Sequence, residues 1–586
     1  MRGADNPSIR PKPLWARAHA TVRNLGLVLI ILLAGYTGDI PASGQNQKLE
    51  DQPNIVHGTV VNAVTHEPIV RALVYSPDNR YATLTDGEGH FEFTLPKVAT
   101  DSGSFGLSIG MSTGGVRGVT WLTARKPGFL DHPNESRQIE ASPGTELTIS
   151  LMPEALIKGR VTLSAAEPAH RVNVQLLSRQ VQDGSARWMP KNSASTNSRG
   201  EFRFAELEPG TYKLLTNEWM DNDPEARVPG GQLYGCPPVY YPGSSDFVSA
   251  SAIQLTAGQT FHADLSLVRQ PYYPVKIPVT NTEPTGGMNI SVSPQGQRGP
   301  GYSLGYNRER GLIEGQLPNG KYLVEAATYG QNSASGSASV VVAGGLVEGP
   351  TMVIARNNSI IVNVKEEFAA TDWNAHGTWS DGKHTFALHG LRLDLNVRAD
   401  PVDEVGPRAS GSVRPPAGPN DESLVLENLA PGRYWLRLTA LRGYVASATM
   451  GGTDLLREPL VVVPGASASI DVTMRDDNAE LEGTLLGIIP TPIDPRRWSP
   501  RGYVYCIPLP GSTGQFLEIS ASSDGKFDYR MVAPGVYRVV AFASAQRDIP
   551  YRDAEAMKLY ETKGQIVHFA AGQKMSLQLE VTSSAE

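Results

Sequence analysis

The strongest constraint on this chain is an internal repeat. In each copy an apolar residue stands ten positions before a tyrosine, and a glycine stands two positions before that tyrosine. Four segments align without gaps. Residues 198–216 carry Phe202, Gly210 and Tyr212, and residues 308–326 carry Leu312, Gly320 and Tyr322. Residues 420–438 carry Leu424, Gly432 and Tyr434, and residues 523–541 carry Phe527, Gly535 and Tyr537. A degenerate first copy begins T-D-G-E-G-H-F-E-F-T-L-P at Thr85. Self-similarity of this kind marks tandem structural units. The F-x-F and Y-x-L alternation puts every second side chain on one face, the period of a half-buried strand. Asp-Gly and Pro-Gly between these runs supply turn geometry, so each repeat is predicted to be a β-hairpin with its aromatic face inward.

Further strand patterns flank each copy. Upstream lie V-H-G-T-V-V at 56–61, I-K-G-R-V-T at 157–162 and L-E-G-T-L-L at 481–486; downstream, a strand, a glycine turn and a strand recur, as at 567–581. About seven short strands per unit is the signature of a Greek-key sandwich. The predicted fold is therefore all-β, a tandem array of about five Greek-key seven-stranded β-sandwich (transthyretin-like or Ig-like) domains. They span 55–155, 156–270, 271–357, 358–477 and 478–586, and residues 551–562 form the one expected short helix. Composition agrees. A 40% hydrophobic content is too high for a disordered chain, and a net charge of −7 argues against a dedicated nucleic-acid binder. Two cysteines exclude a disulfide-rich scaffold or a four-thiolate zinc site. Cys236 and Cys506 lie far apart in the chain and are expected to be free, buried thiols.

Arg10, Lys12, Arg17 and Arg23 precede an apolar run at 25–35, and small residues follow, ending Ala42-Ser43-Gly44. That order reads as a secretory signal over 1–44, followed by a linker at 45–54. The run is shorter than the ~20 residues of a spanning helix. The rest of the chain is then expected to be extracytoplasmic (periplasm, outer-membrane surface or secreted), with no membrane span.

The pattern D-x-x-G-x-F-x-F-x-x-L-x-P-G-x-Y-x-L resembles the carboxypeptidase regulatory-like domain of secreted bacterial proteins, a transthyretin-like sandwich grouped with carbohydrate-binding-like folds. Its P-G-x-Y tetrad is intact in the second, fourth and fifth units, and Asn319 replaces the proline in the third. The resemblance implies fold and location, and it implies no activity, because the regulatory domain of carboxypeptidases does no chemistry.

Constellations for chemistry are few. His132-Pro133-Asn134-Glu135 has the H-x-x-E form of zinc carboxypeptidases, with His262 as a third ligand, yet the pair falls in a turn and no catalytic domain fits between them. Trp373, Trp379 and His376 concentrate in one segment of a chain with only 8 Trp and 11 His, which makes them the candidate ligand-binding patch. The stretch Y-G-C-P-P-V-Y-Y-P-G at 234–243 is a second aromatic cluster. Lys276 and Glu325 sit where Cna-B-type sandwiches place the lysine and acid of an internal amide bond, but the last strand at 351–355 offers no Asn. No catalytic residue, metal or cofactor is expected. The expected function is a non-enzymatic binding or scaffold protein, with glycan or an envelope protein as partner and no nucleic acid. The alternatives are an accessory subunit of an envelope peptidase or outer-membrane receptor system, and a hydrolase with an unrecognised site.

Overall fold

The computed structural model describes residues 55–582, apart from 95–119, 132–138, 142–145, 164–165, 222–230, 282–286, 298, 329–332, 370–376, 381–384, 389, 404–409, 419–420, 466–467, 488–501, 523 and 547. The predicted signal and linker lie outside the described residues. Five apolar cores follow one another along the chain, running from Val56 to Leu151, Ala155 to Leu267, Val275 to Ile354, Ile360 to Met474 and Ala479 to Leu579. We number the corresponding all-β modules one to five. Among the described residues helix is confined to short pieces such as Leu391–Asp394 and the 3-10 turn Ala556–Tyr560, which is all that forms of the helix expected over 551–562. Among the described residues no helix is long and apolar enough to cross a membrane.

One strand arrangement recurs in all five modules. The first strand is central in its layer, antiparallel to the strand carrying the repeat's Phe or Leu and parallel to the last strand. In module two, Ala155–Thr162 lies between Glu201–Leu207 and Thr260–His262. In module five, Ala479–Leu486 lies between Lys526–Val532 and Lys574–Thr582. The same neighbours flank Ile55–Asn62, Gln270–Asn281 and Asn358–Glu367. Across the core, the tyrosine strand of module two, Gly210–Thr216, pairs with Asn173–Gln182 and Ile253–Leu255.

This corrects one expectation. The F-x-F and tyrosine strands do not pair as a hairpin; in none of the four aligned repeats are they bonded neighbours. The Pro-Gly link is a crossover between strands on opposite sides of the core. Its glycines have φ of 158°, 158° and 159° at Gly210, Gly432 and Gly535, an extended backbone rather than the left-handed pair of a tight hairpin turn. The tyrosine holds the crossover. Tyr212, Tyr322, Tyr434 and Tyr537 are buried, each in its own module's core, and each hydroxyl donates to the carbonyl four residues upstream, at Glu208, Pro318, Ala430 and Ala533, over 2.7–3.0 Å.

The upstream glycines have a packing reason. Gly58, Gly159 and Gly483 are register partners of Phe91, Phe202 and Phe527, whose rings lie across the missing side chain. A Cβ at 483 would stand 2.2 Å from the Leu577 carbonyl oxygen and 2.5 Å from the Phe527 ring; at 159 it would stand 1.8 Å from the Ala263 oxygen. Where the first strand lacks this glycine, the partner is smaller: Pro278 faces Leu312 and Val362 faces Leu424. The large ring and the absent side chain thus vary together across the repeat.

Both cysteines are free and buried, Cys236 in the core of module two and Cys506 in that of module five. Burial pushes the Cys236 thiol up to about 11 and the Cys506 thiol up to about 12. Two outcomes are expected. Gly483→Ala should destabilise module five by about 3 kcal/mol through overpacking, read as lost hydrogen-exchange protection of its strands, and a cost under ~0.5 kcal/mol would contradict the close-packing account. Iodoacetamide at pH 8 should label neither thiol in the native chain and both in denaturant, because only the thiolate reacts; fast native labelling at either position would show that its burial is wrongly described.

Candidate functional site

Two of the three patch residues, Trp373 and His376, lie outside the described residues. Trp379 falls in the strand Gly377–Ser380, where its register partner is Phe386 of the strand Thr385–Leu388. His132 and Glu135 also lie outside, and His262 is exposed in a terminal strand. Lys276 has Glu314 and Glu348 as strand neighbours, whereas Glu325 has Ser291 and Ser337, and neither joins the apolar core, so the internal amide bond has no support. At the turn before the first F-x-F strand, the exposed Asp86, Glu88 and His90 each bring one ligand atom within 4.8 Å of the others. There Asp86 Oδ1 accepts the backbone N–H groups of Glu88 and His90, which is the ordinary work of a turn aspartate.

Much of the aromatic stretch 234–243 is taken up by packing, with Tyr234 left 44% exposed. Tyr240, Phe247 and Ala250 cover Leu177, Trp188 and Leu215 on the outer face of module two. Beneath this strap Lys213 is buried, donating to the Phe247 carbonyl at 2.6 Å with its ammonium 4.3 Å over the Phe247 ring and 5.1 Å over Trp188. A second strap does the same in module five, where Ile549 and Tyr560 cover Tyr505, Ile507, Val540 and Phe542. Each strap seals an outer sheet face that would otherwise be wet, so residues 212–216 and 539–542 are buried without a break.

A polar site that joins two modules is one the sequence did not reveal. Asp183 and Gly184 form the two-residue turn between Asn173–Gln182 and Ser185–Ser195, with φ of 48° and 73°, the left-handed pair a tight hairpin requires. This tip from module two is gripped by module five, some 370 residues away. The Tyr551 hydroxyl donates to Asp183 Oδ1 at 2.6 Å. Arg552 donates through Nη2 to Oδ2 and through Nε to the Asp183 carbonyl, both at 2.9 Å, and its backbone N–H donates to the Gly184 carbonyl at 3.0 Å. Arg437 of module four stands 3.7 Å from Oδ1, and the Arg552 guanidinium lies 4.5 Å over the Trp435 ring. Tyr551 stacks on Phe516 at 4.3 Å, and a Cβ at 184 would meet the Tyr551 ring at 2.7 Å. The Asp183 and Arg552 side chains are only 12% and 14% exposed, so this is a desolvated, charge-assisted fork rather than a screened surface pair.

The other joints follow the chain. Between modules two and three, the Tyr240 hydroxyl donates to the Pro300 carbonyl at 2.6 Å, and Glu218 Oε2 accepts from the Ser303 backbone and hydroxyl. Ser333 donates to Asn428 between modules three and four; Gln515 to the Val445 carbonyl and Arg457 to the Gly511 carbonyl join four and five. With the Asp183 clamp, contacts run two–three–four–five and back to two. The circuit is closed.

Burial raises the Glu218 carboxyl to about 7 against the pull of the Ser303 donors and of the buried Tyr272 hydroxyl beside it. An acid that holds its proton more tightly when folded stabilises the fold below its unfolded value near 4.5 and loses that contribution as pH rises through 7. Glu218→Gln, neutral at every pH, should therefore gain melting temperature relative to the wild type between pH 5 and pH 8. A gap that stays constant with pH would refute the assignment.

No described protein family matches the sequence, and no curated protein does. Among solved structures, the Bacillus anthracis TIE protein is similar over 52% of this chain and 51% of its own, at 11% identity and a TM-score of 0.16. A streptococcal ancillary pilin is similar over 50% of this chain and 98% of its own, at 11% identity and a TM-score of 0.17. A shaft pilin spaA structure from Lactobacillus rhamnosus GG is similar over 37% and 98%, at 10% identity and a TM-score of 0.19.

Proposed function

We propose that this chain is a non-enzymatic, extracytoplasmic scaffold of the carboxypeptidase regulatory-like type, exported by residues 1–44 and divided at 155, 270, 357 and 477. Its task is to hold binding loops at fixed mutual positions, with a glycan or an envelope protein as the ligand and Trp373, Trp379 and His376 as the binding patch. The observation that carries this reading is the closed circuit. Tyr240, Phe247, Tyr551, Arg552 and the four repeat tyrosines are spent on cores, straps and joints, which is what a rigid platform needs. The tyrosine-held crossovers support the regulatory-like assignment, and the Trp-rich segment supports a ligand with flat apolar faces such as a sugar ring.

Two measurements test it. In small-angle scattering, Asp183→Ala should enlarge the radius of gyration of the full chain by opening the joint between modules two and five; an unchanged scattering curve would mean that the clamp does not hold the platform. On a polysaccharide panel, binding by the wild type should fall at least tenfold in Trp373→Ala and Trp379→Ala. Binding that both variants retain would place the ligand elsewhere, and an absence of glycan binding would leave envelope proteins as the partner class.

A further inference from the structure

We propose that the clamp built by Tyr551, Arg552 and Arg437 is a receptor for an acidic hairpin tip, filled in cis by Asp183–Gly184 and open in trans to the same tip of a second copy of this chain. This goes beyond the scaffold reading and does not depend on which ligand the patch takes.

Three features carry it. First, recognition is compact: the hydroxyl, the guanidinium fork and the Arg552 backbone N–H all end on two consecutive residues. Second, the receptor is selective. It requires a carboxylate on a left-handed residue followed by a residue with no side chain, because the Tyr551 ring occupies the Cβ position at 184. The other Asp-Gly turns of the described residues do not qualify. Asp86 and Asp524 lack the positive φ, and Asp524 is already paired with Lys526 at 2.8 Å. Third, chain continuity keeps modules two and three, three and four, and four and five side by side, whereas only non-covalent contacts bring module two to module five. A receptor and its tip on one chain, joined by separable contacts, are the ingredients of reciprocal exchange, which yields a two-fold dimer with both clamps filled. In cis the tip is present at an effective concentration of roughly millimolar, so the closed monomer prevails in dilute solution, and exchange appears when cis closure is blocked.

Charge reversal blocks it in a way that favours the mixed pair. Asp183→Lys keeps the receptor and spoils the tip; Arg552→Glu keeps the tip and spoils the receptor. Each variant alone opposes like charges in cis and in trans. Mixed, they restore one native clamp and create one of reversed polarity. By sedimentation or light scattering, each full-length variant alone should run at the 63.0 kDa of one chain, and the equimolar mixture should approach twice that mass as concentration rises toward ~1 mM. The double variant D183K/R552E should stay monomeric by closing on itself. Circular dichroism establishes that both single variants are folded. A mixture of folded variants that stays at monomer mass throughout would overturn the proposal. So would either variant associating with itself as strongly as with the other, since a different surface would then be responsible.

Discussion

Modules two to five must each carry the chain from one side of the core to the other over one or two residues between the Phe or Leu strand and the tyrosine strand. The buried tyrosine resolves this by filling the core with its ring and donating its hydroxyl to the carbonyl four residues back. The interaction is modest, on the order of 1 kcal/mol for a typical hydrogen bond, but an unsatisfied carbonyl in its place would cost more. It fixes where the tyrosine strand enters the second layer, and through that the register of the strands that pair with it. The Phe-over-glycine contact does the corresponding job in the first layer of modules one, two and five, so in modules two and five a ring anchors each side of the core.

Much of this was legible in the sequence because it is local or repeated. Alternation marked the strands, and the recurrence of Phe202, Tyr212, Phe527 and Tyr537 with their turn glycines marked the all-β modules. The expectation of buried free thiols agrees with Cys236 and Cys506. The pairing was misread for a physical reason: Pro-Gly signals a change of direction, but only the backbone angle tells a turn within a sheet from a crossing between layers. Tyr240 and its neighbours looked like a binding cluster because a sequence does not say which aromatic rings face a second, outer core. Nothing in the sequence joins Asp183 to Arg552. An Asp-Gly turn is common, an arginine beside a tyrosine is common, and their meeting is a property of how modules stack.

The joints differ in chemistry. That between modules two and three combines the antiparallel pairing of Leu233–Cys236 with Gln270–Asn281 and hydrogen bonds around one carboxyl that burial raises close to neutrality, whereas that between modules two and five rests on full charges in a poorly solvated setting. A change of pH therefore acts on the first seam, while the desolvated charges of the second are little screened by salt.

The strap of module five has two duties at once. Ile549 and Tyr560 seal a hydrophobic face, while Tyr551 and Arg552, between them in sequence, grip the distant turn. Peeling the strap would wet the outer face of module five and release module two together, and tension on the grip would be transmitted straight into that lid. A row of sandwiches would ordinarily come apart bead by bead; here one local covering and one long-range joint hang on the same short segment.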